Sequence, residues 1–136
     1  MKQDKLAQMA RVTEAVYLNE FQKVKNILNE EARLRGELAR LQAQEEAGRQ
    51  EMADGLTMQA VGADLVWQAW LSRSRQQLNI ELAQVIARKL NAISKVRQAF
   101  GRQNAVSAMH DKLRADRQAE RQKRAFDALL QNRQFR

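Results

Sequence analysis

Apolar residues recur at alternating steps of three and four along most of this chain, from Leu6 to Leu41 and again from about Leu65 to Met109. That rhythm places them on one face of an α-helix and predicts two long amphipathic helices. In the first, a heptad frame puts Leu6, Thr13, Glu20, Ile27, Leu34 and Leu41 at one seam position. Ala10, Tyr17, Val24, Glu31 and Leu38 take the other. Val16, Phe21 and Leu28 widen the stripe to roughly three residues in seven, the width of a packed helix face. The second helix carries Leu78, Leu82, Val85, Ile86, Leu90, Ile93, Val96, Phe100, Val106, Met109 and Leu113. The rhythm lapses once, over Met52 to Gly62, where two glycines and the single charge of Asp54 predict a turn. Ala63 and Asp64 then open the second helix, with Asp64 near the dipole's positive end. The predicted elements are helix 1 over about 3–50, a turn at 52–62 and helix 2 over about 64–132.

Two features strengthen that reading. The chain has no proline in 136 residues, where the usual ~5% frequency would give about seven, and proline is the residue that a helix interior excludes. Only 5% of residues are aromatic while 29% are charged, the balance of a coiled coil and not of a globular core. Gly36 and Gly48 each weaken the first helix by about 1 kcal/mol relative to alanine and predict local softness. The expected fold class is all-α: one domain over 1–136, built as an antiparallel coiled-coil hairpin of two long helices. If helix 2 folds back, paired positions should sum to about 117, twice the turn centre. Leu41 then lies by Leu78, Leu34 by Leu82, Ile27 by Leu90, Val24 by Ile93, Phe21 by Val96 and Tyr17 by Phe100. Leu6 falls near Met109 and Leu113. Every strong apolar position finds an apolar neighbour, and residues from about 114 onward have no partner, leaving a C-terminal helical overhang.

Charge gives the overhang a character. Of the net +8, residues 63–136 hold 15 Lys/Arg against 6 Asp/Glu, and +5 sits from Lys112 onward. Such asymmetry suits contact with a negative surface, or else a solvated helix face. Phe126, Leu129 and Leu130 form a small apolar patch within this basic stretch, with nothing in the hairpin to cover it. At the other end of helix 2, Trp67 and Trp70 sit at i, i+3 on one helix face. They either cap the hairpin by packing on the 52–62 turn or form an exposed anchor, tryptophan being enriched at interface hot spots.

Catalytic chemistry is missing from the pattern. The lone histidine, His110, has no cysteine or second histidine to complete a metal site. Glu30/Glu31 and Glu45/Glu46 are sequence neighbours that point apart on a helix, and no Gly-rich phosphate loop occurs. No enzyme activity, metal or cofactor is expected. No apolar run approaches the ~20 residues of a membrane span, and the N-terminus lacks an apolar signal region, so cytoplasmic residence is the simplest expectation. Binding of nucleic acid by the basic tail is disfavoured, because Asp116, Glu120 and Asp127 interleave with its arginines and no aromatic stacking set accompanies them. Self-association as a structural coiled coil through its ends is a further alternative.

Three stretches, in order along nearly the whole chain, resemble the flagellar FliJ family and its YscO-type injectisome counterparts. They are Glu51-Met-Ala-Asp-Gly-Leu-Thr57, similar to that family's Met-x-x-Gly-Ile-Thr hinge, Arg75-Gln-Gln-Leu-Asn79, and Glu120-Arg-Gln-Lys-Arg-Ala-Phe-Asp127. The resemblance implies a stalk of a type III secretion export apparatus, without enzyme activity and peripheral to its membrane-embedded part. Its terminal end would enter the pore of a hexameric export ATPase through Arg114, Arg117, Arg121, Lys123, Arg124, Phe126, Leu129 and Leu130. Its hinge end would meet the cytoplasmic domain of the export gate through Ala63, Trp67, Trp70 and Ser74, and some family members also bind export chaperones. The facing part of helix 1 (Arg33, Glu37, Arg40, Gln44) is polar here, where flagellar relatives carry aromatic residues.

Overall fold

A computed structural model of the chain describes residues 2–54 and 58–134, and these form two helices paired as an antiparallel hairpin. Helix α1 runs Lys2–Asp54 and helix α2 runs Met58–Gln134. Both outrun the sequence expectation at the turn. Met52, Ala53 and Asp54 continue α1, and Met58 to Gly62 already belong to α2. Methionine, glutamine and alanine are good helix formers, and an isolated glycine costs only about 1 kcal/mol, so Gly62 is absorbed instead of breaking the helix. Asp64 consequently lies more than a turn inside α2, beyond the first turn where the dipole acts on a carboxylate. The remainder of the expected turn, Gly55 to Thr57, lies outside the described residues. Gly36 and Gly48 fall within unbroken helix.

The burial pattern reproduces the two seam positions of α1, whereas Val16, Phe21 and Leu28, expected to widen the stripe, are exposed. Leu34 and Leu41 are buried, and Leu6, Ala10, Thr13, Tyr17, Val24, Ile27 and Leu38 are half-buried between exposed neighbours. On α2 the most covered series recurs every seven residues: Leu71, Leu78, Val85, Ala92, Ala99, Val106 and Leu113. An unbroken seven-residue repeat of this kind is the signature of a coiled-coil seam.

Tertiary contacts group into two units, Met1–Phe21 with Lys95–Arg136 and Gln22–Ser94. In the second, Leu34, Leu41, Leu71, Val85 and Ala92 form the apolar core. Two charged layers interrupt it. Glu31, only 7% exposed, accepts from Lys89 Nζ at 3.0 Å and from Arg35 Nη2 at 3.0 Å. Glu45 accepts from Arg75 across the pair and from Arg49 one turn along α1 at 3.0 Å. Arg88 adds a more exposed bridge to Glu30 at 3.2 Å. In the first unit, Ala99 and Val106 are buried, and Tyr17 meets Phe100 with ring centroids 5.6 Å apart. Thr13 fits the seam because its hydroxyl donates back to the Met9 carbonyl at 2.8 Å. Arg117 donates to Gln3 across the pair.

These cross-links set the register. Position numbers sum to 120 for Glu31–Lys89, Glu45–Arg75 and Gln3–Arg117, to 118 for Glu30–Arg88 and to 117 for Tyr17–Phe100. The expected pair Tyr17–Phe100 is met, whereas the polar cross-links sum to one to three more than the expected 117. Leu90, expected beside Ile27, is 63% exposed, and Ala92 holds the buried position instead. Met109, expected near Leu6, is also exposed, while Leu113 is half-buried. Nor does every apolar position face another, since the seam includes Glu31–Lys89 and Glu45–Arg75. Sequence pairing went astray because it maximised apolar matches and gave no weight to opposite charges at the same seam position.

Candidate interaction surfaces

Among the described residues no helix pairs with α2 beyond Arg117, and residues 118–133 are all exposed. The unpartnered stretch begins a few residues later than the expected 114, because Arg117 still reaches Gln3. Arg114, Arg117 and Arg121 line one polar groove of about 410 Å³ together with Gln3 and Gln118. Arg117 and Arg121 join Glu120 and Arg124 around a second of about 210 Å³. Arg124 donates to Glu120 at 3.1 Å, an i,i+4 pair on an exposed surface.

The apolar trio lies elsewhere on the same helix. Phe126 is 61% exposed, Leu129 68% and Leu130 44%. At roughly 100° per residue, implied by 3.6 residues per turn, Arg114, Arg117, Arg121 and Arg124 share one face. Phe126, Leu129 and Leu130 centre on nearly the opposite one, bracketed by Lys123 and Arg133. The structure thus divides the expected tip into two faces. The arginine face continues the direction of the coiled-coil seam, and the apolar face points away from it.

Near the start of α2, Trp67 and Trp70 stack with centroids 5.1 Å apart and planes 20° from parallel. Both remain partly exposed, at 37% and 43%. Trp67 lies against Gly48 of α1, so close that a Cβ there would sit 3.1 Å from the indole Nε1. Gly48 therefore provides the close approach that seats the ring, a role that reading it as a soft point missed. The signal available in sequence was the pairing sum, which brings position 48 near position 67. The close contact of Trp67 is with Gly48 of α1 and not with the expected 52–62 turn, part of which lies outside the described residues, and both stacked rings keep an exposed portion.

Two shallow grooves flank the stack. One, of about 530 Å³, is lined by Gln44, Ala47, Gly48, Glu51, Met52, Ala63, Asp64 and Trp67. The other, of about 450 Å³, is lined by Leu41, Trp70, Arg73, Ser74, Gln77 and Leu78. Ala63 and Trp67 therefore share one groove, Trp70 and Ser74 the other. Of the polar helix-1 residues expected to face this region, Gln44 lines the first, whereas Arg33 and Glu37 bond to each other at 2.7 Å.

Among titratable groups, Glu31 departs clearly from its ordinary value. Hydrogen bonds from Lys89 and then Arg35 hold its carboxyl below the usual 4.5, against a smaller opposing effect of burial. His110 is half-buried at the seam. Among the described residues no three metal-ligating side chains gather, and no helix is long and apolar enough to cross a membrane. In comparisons with known proteins, no family model matches the sequence, and no curated protein or solved structure matches it either.

Proposed function

We propose that this coiled-coil hairpin is a stalk and adaptor of a type III secretion export apparatus, acting without catalysis of its own. The basic and apolar end of α2 would enter a hexameric export ATPase, and the tryptophan grooves would meet the export gate's cytoplasmic domain or an export chaperone. The observation that carries this reading is the unpartnered stretch of α2, with arginines on one face and Phe126, Leu129 and Leu130 on the other. A helix presenting two chemistries on opposite faces suits a ring pore, which surrounds it. Arginines would guide entry past acidic pore residues, and burial of the trio would supply roughly 5–9 kcal/mol before the costs of association. The motifs around Gly55, Arg75 and Glu120 support the same reading, and such a stalk would work in the cytoplasm at the membrane's inner face.

The test is hydrolysis by the ATPase of the same secretion system, measured with and without the chain. Addition should raise turnover or promote ring assembly. Loss of that effect on deleting residues 118–136, with the hairpin still folded, supports insertion through the tip. No effect from the intact folded chain refutes it.

A further inference from the structure

The tip and the groove beside Trp67 are both partly apolar and carry opposite charge. The groove is a cleft between α1 and α2 with apolar walls in Ala47, Met52, Ala63 and Trp67. The charged side chains lining it are Glu51 and Asp64, both acidic. Residues 112–136 carry a net +5. On the tip, Phe126, Leu129 and Leu130 span about one helical turn. Lys123 and Arg133 stand three or four residues to either side on the same face, where they would meet an acidic rim.

We propose that the apolar face of this tip docks into the Trp67 groove of a second copy of the chain. The occupant is an amphipathic helix laid into an apolar groove through anchors at i, i+3 and i+4, with lysine and arginine set against Glu51 and Asp64. Because the two surfaces differ, each contact pairs the tip of one copy with the groove of another. The contact is small, one turn of helix, which makes it weak and dependent on concentration. It stands on the charges and exposure of these two surfaces and does not depend on a role in secretion.

Sedimentation equilibrium over about ten micromolar to one millimolar, a range suited to weak contacts, tests the proposal. The weight-average mass should rise above the 15.7 kDa monomer at low salt and fall back at high salt, as rim charges are screened. Leu129→Glu with Leu130→Glu should hold the chain at monomer mass with unchanged helicity, since those side chains lie beyond the end of α1. Glu51→Lys with Asp64→Lys should do the same. Mixing the two variants should restore one contact, intact tip to intact groove, and give a heterodimer that does not grow further. The chain has no cysteine, so Gln44→Cys and Arg133→Cys variants should form a disulfide when mixed and not separately. Monomer mass throughout overturns the proposal, as does association that survives the Leu129/Leu130 change or cross-links that favour like with like.

Discussion

Replacing Gly48 by alanine sets two opposing effects against each other, and their balance measures how firmly Trp67 is seated. In a helix interior, Gly→Ala is worth about 1 kcal/mol of added stability. Gly36 displays that gain undisturbed, because a Cβ there meets nothing within 4 Å. At Gly48 the new methyl would lie 3.1 Å from Trp67 Nε1, where ordinary contact lies near 3.5–4.0 Å. The indole must retreat by roughly half an ångström, and a gap of that order forfeits about a quarter of each contact it opens. The ring also stacks on Trp70, an interaction worth about 0.5–1.5 kcal/mol that the retreat disturbs. Gly36→Ala should therefore raise stability by about 1 kcal/mol, and Gly48→Ala should leave it nearly unchanged. Urea titration followed by circular dichroism gives the two values. The chain's only tryptophans are Trp67 and Trp70, so their emission reports this site alone and should shift in Gly48→Ala but not in Gly36→Ala. Equal stabilisation by both changes, with identical emission, would refute the seating of Trp67 on α1.

Leu34 is fully buried, so Leu34→Ala should cost about 2–5 kcal/mol in the same titration. Leu129→Ala removes an exposed side chain and should leave stability within about 0.5 kcal/mol; under the proposed insertion into an export ATPase it should also weaken that binding about ten- to a hundredfold, and calorimetric titration separates the two. Reversing the charge at Glu31 or at Lys89 alone should destabilise the hairpin, and Glu31→Lys with Lys89→Glu should recover part of the loss, which a double-mutant cycle reads as coupling. Glu31's carboxyl has a folded-state value lowered below 4.5, so the folded state binds its proton less readily than the unfolded chain. Its contribution is fully present above about 4.5 and is lost as pH falls through the lowered value; Glu31→Gln should flatten that part of an acid denaturation curve.

The period of the fold was legible and its phase was not. Leu6, Thr13, Ile27, Leu34 and Leu41 announce one helix face because a seven-residue spacing survives any choice of partner. The register depends on side chains that hydrophobic spacing ignores. Glu31 already sits in the predicted seam of α1, yet nothing in the apolar pattern says that Lys89 lies opposite. Matching leucines places Leu90 inside and sets the pairing one to three residues away from the polar cross-links. The turn was overestimated for a related reason: Gly62 reads as a breaker in isolation, whereas neighbouring helix formers carry α2 through it. At the candidate surfaces, exposure of Phe126, Leu129 and Leu130 followed from counting how far α2 outruns α1. The separation of that trio from the arginines is a matter of angle around the helix, and it emerges only when positions are projected at 100° per residue. Gly48 was misread because a glycine's use depends on what approaches it, and the approaching ring lies 19 positions away in sequence.

The charged layers explain why a hairpin with so regular a repeat adopts one register. Leucine and alanine at seven-residue intervals pack almost equally well after a slip of one heptad. Such a slip would set Glu31 against Leu82 or Val96 in place of Lys89. The slip would leave Glu31 with Arg35 of its own helix but without Lys89, and loss of one partner from so covered a carboxylate is unfavourable. Glu45 and Arg75, two heptads along α1 from Glu31, impose the same condition again, so any one-heptad slip breaks both layers together. In the other unit Arg117 donates to Gln3, and residues 118–133 beyond that contact are exposed.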